Sequence, residues 1–325
     1  MPKVSIVVPS YNRAEFLEAT LQSIQNQSFK DFELIFIDDG STDNTEELVK
    51  KIAADDPRIK YHKQKNSERA VARSYGLSLA SAELLCLVDS DDLWYEDKLE
   101  KQIAIMDANP DVIFTYASVN RIDMEGNRVK SSPRQHEGFS GYVFYELLKR
   151  NFIPSVTPMF RKSIWDKVGN QVTEFIPYED WDFWLKFSRQ GKFHHIKEPL
   201  GDYRLHPGQS VQNVKADHIE KVTTLVLENN TSPEKIDIDE YLKMSSTDMN
   251  EFSSIRNKAY SLANLRFGYW YIVAGDLGLA RRKLMQAARH SSARYLDYRW
   301  YGLHLALLLK PVFGNFITKF LGSFH

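Results

Sequence analysis

Three short apolar runs, at 4–8, 33–37 and 84–88, each stop at a polar turn: Pro9-Ser10-Tyr11, Asp38-Asp39-Gly40 and Asp89-Ser90-Asp91-Asp92. Between them lie stretches with apolar residues at helical spacing, such as Phe16, Leu17, Leu21 and Ile24. Helices are predicted over 15–27, 45–54, 68–79 and 95–108, with a further short strand at 59–61. Strands alternating with helices predict a doubly wound α/β fold: a mostly parallel sheet covered on both faces. All three turns then fall at the carboxyl ends of strands, the edge where open α/β sheets bind ligands.

Past residue 110 the pattern becomes more mixed. A strand is expected at 112–116, a hairpin turn around Glu125-Gly126-Asn127, and a polar loop over 129–141. Helices are expected at 141–149, 161–168 and 179–189, and separate strands at 194–196 and 201–205. From about 217 the chain turns helical. Residues 229–251 are polar, with few large apolar side chains, and read as a linker. Residues 263–289 resemble one tetratricopeptide-like helix pair, with Ala263, Gly268, Tyr271, Gly275, Ala280 and Ala287 near the small and aromatic positions. One such unit forms no solenoid alone, so it is expected to pack on the main domain or on another copy of the chain. The expected division is 1–215, with halves 1–110 and 111–215, followed by a helical region over 216–325.

The 325 residues carry a net charge of −1, which excludes a uniformly basic nucleic-acid binder. The balance is uneven: residues 252–325 hold eleven Lys/Arg against two Asp/Glu. This basic end, with Arg281, Arg282, Lys283, Arg289, Arg294 and Arg299, has two readings. One is a face for anionic lipid headgroups, with 303–324 in the interface; the other is a solvated face closing an acidic domain. The single cysteine, Cys86, reads as a small buried hydrophobe, and a reducing cytosol fits. The sequence has no signal-peptide pattern and no apolar window of membrane-spanning length. The expected location is cytoplasmic, with peripheral attachment to the inner face of the membrane.

The Asp89–Asp92 cluster is the sharpest chemical element. Carboxylates this close disfavour one another unless a cation offsets them. Hard oxygen ligands without clustered Cys or His suggest Mg2+ or Mn2+. Magnesium held by one or two carboxylates completes its shell with water and substrate phosphates, so a nucleoside diphosphate is the natural partner. Dinucleotide and P-loop glycine motifs are absent.

The segments VSIVVPSYN, IFIDDGSTDNT, ARSYG and LCLVDSDDLW, followed by YEDWDFWLKFSRQG and YRLHPGQS, resemble the family-2 inverting glycosyltransferases of the GT-A fold over about residues 1–212. The resemblance implies that Pro9 and Tyr11 line a nucleobase pocket and that Asp39, with Asp38 beside it, accepts a hydrogen bond from the base. It places Arg73 facing the base or diphosphate. Asp89 would meet the ribose or a metal-bound water, Asp91 would hold the metal, and Asp92 would share one role or the other. Asp180 matches the catalytic base. His206 either completes the metal site, contacts the diphosphate or is ordinary hydrogen-bonded structure. Trp181 and Trp184 read as core packing, and His194-His195 is given no role. Residue 68 is Glu where the family often has Gly, Ser74 replaces an Asn, and the usual lead into the Glu179-Asp180 pair is missing.

The implied reaction is metal-dependent sugar transfer, with inversion, from a nucleotide-diphosphate donor to a hydroxyl acceptor. A UDP-sugar is the expected donor, with a dTDP-sugar as the alternative. The acceptor is a saccharide or a lipid-linked saccharide in bacterial surface-polysaccharide synthesis. The reading from another class is a catalytically silent nucleotide-sugar binder or assembly protein acting through its C-terminal helices, which also offer a surface for homo-oligomer formation.

Overall fold

The computed structural model describes residues 1–129, 138–209, 214–232, 235–236, 238–290 and 303. The chain divides into two compact units: Met1–Phe144 with Asn151–Gln209, and Tyr145–Arg150 with Ser210–His325.

The first unit begins with β1 (Val4–Ser10), α1 (Ala14–Gln25), β2 (Phe32–Asp38), α2 (Thr45–Asp55), β3 (Ile59–Lys63), α3 (Arg69–Ser78) and β4 (Leu84–Leu87). Every residue of β1, β2 and β4 is buried, as strands covered on both faces require. β1 pairs in parallel with β2 from Val4↔Phe32 to Ser10↔Asp38, and with β4 from Val4↔Leu84 to Val7↔Leu87. That register brings the three polar turns to one edge. Helix α3 lies directly on β1, because a Cβ on Gly76 would stand 2.3 Å from Val7 Cγ1. Cys86 is fully buried.

The unit continues through β5 (Leu93–Trp94), α4 (Lys98–Ala108), β6 (Val112–Ile122), β7 (Arg128–Val129), β8 (Met159–Arg161), α6 (Lys162–Val168), α7 (Glu179–Ser188) and β9 (Lys192–Arg204); α5 (Phe144–Lys149), which precedes β8 in the chain, belongs to the second unit from Tyr145 on. The sheet order is β3-β2-β1-β4-β8-β6-β9-β5, with β7 paired to β6. β8 runs antiparallel to both β4 and β6, so the sheet is parallel in its first half and mixed in its second. The two strands expected near 194 and 201 are one strand, β9. Its register against β6 shifts near Pro199, which lacks the N–H needed to continue a regular ladder.

Helix α7 is anchored by its aromatic residues. Phe114 stacks on Phe193 with ring centroids 4.3 Å apart and meets Trp184 edge-on at 5.0 Å. Trp181 and Trp184 are both buried, in the packing role expected of them. A core aromatic of this size contributes about 3–5 kcal/mol relative to alanine, so the N-terminus of α7 is firmly placed.

The second unit contains α8 (Ala216–Thr231), α9 (Asp239–Ser245), α10 (Met249–Ala274) and α11 (Leu277–Arg289). The expected linker over 229–251 is instead largely helical, held by buried Ile238, Tyr241 and Leu242. The expected helix pair is α10 with α11. Gly275 at φ +88° makes the turn, and a Cβ on Gly268 would come within 2.7 Å of Leu284 Cδ2. The pair also packs with α8, where Glu220 accepts from Tyr271 Oη at 2.9 Å and pairs with Lys283. Lys283 is therefore committed within the protein. Arg294, Arg299 and 304–324 lie outside the described residues, as do 130–137 of the expected loop. Among the described residues, no helix is long and apolar enough to cross a membrane.

Candidate active site at the carboxyl edge of the sheet

The first two turns are laced together. Asp39 N–H donates to Ser10 O at 2.8 Å, and Asn12, at φ +51°, accepts from Thr42 N–H at 2.8 Å through Oδ1. Pro9 is buried in β1, while the Tyr11 ring is 45% exposed and open to a stacking partner. The two aspartates differ. Asp38 is fully buried and accepts from Ser41 N–H at 2.7 Å and Tyr61 Oη at 2.6 Å, so it braces the loop from inside. Asp39 Oδ1 accepts from Gln64 at 2.7 Å and from Ser67 N–H at 2.9 Å.

The third turn meets the end of β9. His206 Nε2 lies 2.9 Å from Asp91 Oδ2, and its ring packs 5.0 Å from Phe16. Arg204 fastens the same turn, donating from Nε to Asp91 O and from its backbone N–H to Asp92 Oδ1, each at 2.9 Å. Asp92 is fully buried, and burial, then Asp91 and Asp89, raise its carboxyl well above the usual range. Arg13 Nε stands 3.8 Å from Asp91, and its Nη2 donates to Gly208 O at 2.6 Å. Among the described residues, no set of three or more His, Cys, Asp or Glu is grouped to hold a metal. Asp91 and His206 nevertheless present an oxygen and a nitrogen donor side by side. Two protein ligands suit a divalent ion that takes its remaining ligands from diphosphate and water.

A buried charge cluster occupies the next part of the edge. Arg73 donates to Asp89 Oδ1 at 2.5 Å and to Glu179 Oε1 at 3.0 Å. Arg69 also grips Glu179, from Nη2 to Oε2 at 2.9 Å and from Nε to Oε1. Asp180 follows in the first turn of α7. It accepts from Asn151 Nδ2 at 3.0 Å and from Trp181 N–H at 2.7 Å. Burial first, and then the neighbouring Glu179, raise its carboxyl to about 6. A carboxylate tuned upward beside a charged cluster is suited to proton abstraction near neutral pH.

The structure thus places Pro9, Tyr11, Asp38, Asp39, Arg73, Asp89, Asp91, Asp180 and His206 along one edge, with two direct meetings among them: Asp91 with His206 and Arg73 with Asp89. The sequence reading missed Glu179's grip on both arginines, and with it Arg69, Asn151, Arg13 and Arg204. The spacing of Arg69 and Arg73, one helical turn apart, was the available signal; Asn151 carries none. His195 is buried, stacked on Tyr116 with its Nε2 3.2 Å from Ser118 Oγ, a structural setting.

The departure at Glu68 falls on a strained backbone position. Glu68 caps α3 with φ 73° and ψ 147°, a region close to glycine-only. Such strain costs about 1–3 kcal/mol, part of which glycine's extra unfolded-state entropy offsets. Glu68→Gly is therefore expected to raise Tm by about 2–4 °C, corresponding to about 1 kcal/mol. A thermal melt showing no gain would remove the strain.

A parallel first half, extended by a mixed second half and carrying its carboxylates at one edge, is the GT-A architecture. Residues 5–169 match the model of "Glycosyl transferase family 2", half of the chain, and the protein belongs to that family. A Rickettsia bellii "Uncharacterized glycosyltransferase" is 32% identical over 231 residues, covering 70% of this chain and 33% of the relative. The chain thus spans about a third of that relative's length. The Campylobacter jejuni "GalNAc(5)-diNAcBac-PP-undecaprenol beta-1,3-glucosyltransferase" is 32% identical over 221 residues, covering 65% of this chain and 67% of the relative. The fold is also that of S. aureus TarS 1–349, solved in complex with UDP-GlcNAc. Its TM-score is 0.62 at 18% identity, over 88% of this chain and 91% of the other.

Proposed function

We propose that this chain is a metal-dependent, inverting glycosyltransferase that moves a sugar from a UDP-sugar to a hydroxyl of a saccharide or lipid-linked saccharide. The observation that carries the reading is the meeting of Asp91 with His206 on the carboxyl edge of the sheet that also holds the raised Asp180 carboxyl. Tyr11 stacks on the nucleobase and Asp39 accepts from it. Asp89, kept ionised by Arg73, meets the ribose. Asp91 and His206 hold Mn2+ or Mg2+, which when bound supplies charge neutralisation for the departing diphosphate. Asp180 takes the proton from the acceptor hydroxyl as that oxygen attacks the anomeric carbon. One base and one direct displacement give inversion, with no covalent enzyme intermediate. The name of the C. jejuni relative supports a lipid-linked acceptor, and we place the chain at the cytoplasmic face of an anionic membrane.

A thermal-shift titration with UDP, with and without Mn2+, tests the donor site. Binding at a hundredfold excess over Kd adds about 2.7 kcal/mol to stability. The expected result is a shift with UDP that requires Mn2+ and that Asp91→Asn abolishes. A folded protein giving no shift, or a shift indifferent to both metal and Asp91, overturns the metal-held donor site.

A further inference from the structure

Three carboxylates, Asp89, Glu179 and Asp180, share the space around two arginines, and the sharing is uneven. Glu179 is fully buried and takes both cations: Arg69 through two nitrogens and Arg73 through Nη1 at 3.0 Å. The other arm of Arg73 goes to Asp89. Asp180, the very next residue, makes no ion pair among the described residues. Its oxygens receive the neutral Asn151 amide and the Trp181 N–H of its own helix. The charged groups acting on it are Glu179 from α7 and Arg69 and Arg73 from α3. Asp182, two residues on, is matched by Lys186 at 2.8 Å.

We propose that Glu179 is a positioning residue that holds both arginines away from Asp180, so that the base carboxylate stands in the site without a cation partner. The proposal rests on the reading of Asp180 as the base. A guanidinium against a carboxylate stabilises its ionised form and lowers its pKa by about 1–3, which weakens it as a base. Glu179 is the better partner because it offers both oxygens, fully desolvated, to a planar fork. Its own charge also disfavours ionisation of its neighbour. The raised Asp180 carboxyl agrees in direction.

A clasp that only fastened α3 to α7 would retune Asp180 only through the loss of Glu179's own charge and would leave the effect of Arg69 on Asp180 unchanged, whereas freed arginines make Arg69 the cause of the change. The two roles separate in a carboxyl titration by NMR of the full chain, carrying 13C-labelled aspartate and no donor. Asp180 is assigned as the resonance missing in Asp180→Asn. Glu179→Gln is expected to lower its midpoint by about one pH unit as the arginines turn to Asp180. Adding Arg69→Met to that variant is expected to recover at least half of the change. No lowering, or a lowering that Arg69→Met does not reverse, overturns the proposal. Should the single variant fail to fold, the double variant, which removes one charge of each sign, carries the test alone. A midpoint within about half a pH unit of that of the unaltered protein supports the proposal, and one lower than that overturns it. Retained turnover in Asp180→Asn would remove the base reading instead, independently of this titration.

Discussion

Asp180→Asn is expected to cut sugar transfer by about 10²–10⁴-fold, the usual contribution of a positioned general base, while the UDP- and Mn2+-dependent thermal shift persists. The same change is expected to stabilise the fold at pH 8. The folded carboxyl titrates at about 6 against an ordinary 3.8, so the folded state binds this proton more tightly than the unfolded chain does. The stabilisation from that proton is complete below about pH 4 and is lost as pH rises through about 6. Asparagine is neutral at every pH and avoids the loss. Its single carbonyl oxygen accepts from only one of Asn151 and Trp181, and its NH2 meets the other donor, which offsets part of the gain. About 1 kcal/mol remains, a Tm rise of about 2–4 °C at pH 8 that fades by pH 4. In the unaltered protein, turnover should fall about tenfold per pH unit below 6. Full activity in the variant, or a pH profile flat to pH 5, would remove Asp180 as the base.

That trade between activity and stability was only half legible in the sequence. The parallel half was readable because β1, β2 and β4 are buried on both faces, which leaves unbroken apolar runs ending in polar turns. β9 was read as two strands because Glu198 and Pro199 interrupt its pattern where the register shifts. Helix α9 escapes the pattern because its two buried apolar residues, Tyr241 and Leu242, set too little periodicity in so short a helix. Lys98 is fully buried, its amine 2.6 Å from Gln102 Oε1 and over the Trp94 ring at 3.7 Å, where any hydrophobic pattern would place it in water. Asp180 was found through its motif, but the partners that tune it were not. Arg69 and Arg73 lie over a hundred residues from Glu179, and only the packing of α3 on β1 and of α7 on its aromatic core makes them neighbours.

The same geometry sets the largest expected loss of stability. Arg73→Met is expected to destabilise the protein by about 3 kcal/mol at pH 7, a Tm fall of about 6–12 °C. The guanidinium is buried, and its removal strips a cation from both Asp89 and Glu179. Breaking a buried pair by deleting one partner costs about 3–5 kcal/mol because the other charge stays desolvated. The low end applies because Glu179 keeps Arg69 and the Asp89 side chain is 30% exposed. The dependence on pH follows from Asp89. Burial works against its charge, yet Arg73 and Arg69 hold the carboxyl below the ordinary range. Stability from that pairing is present above the unfolded carboxylate pKa and is lost as pH falls through the folded one. The difference between the variant and the unaltered protein should therefore shrink toward pH 4, where the stranded carboxylates take up protons. Lys192→Ala supplies the contrast: its pair with Asp111 is 41% and 61% exposed, and its loss should cost under about 1 kcal/mol at any pH. Equal melting points for the two variants would mean that the arginine clasp contributes no more than a surface pair.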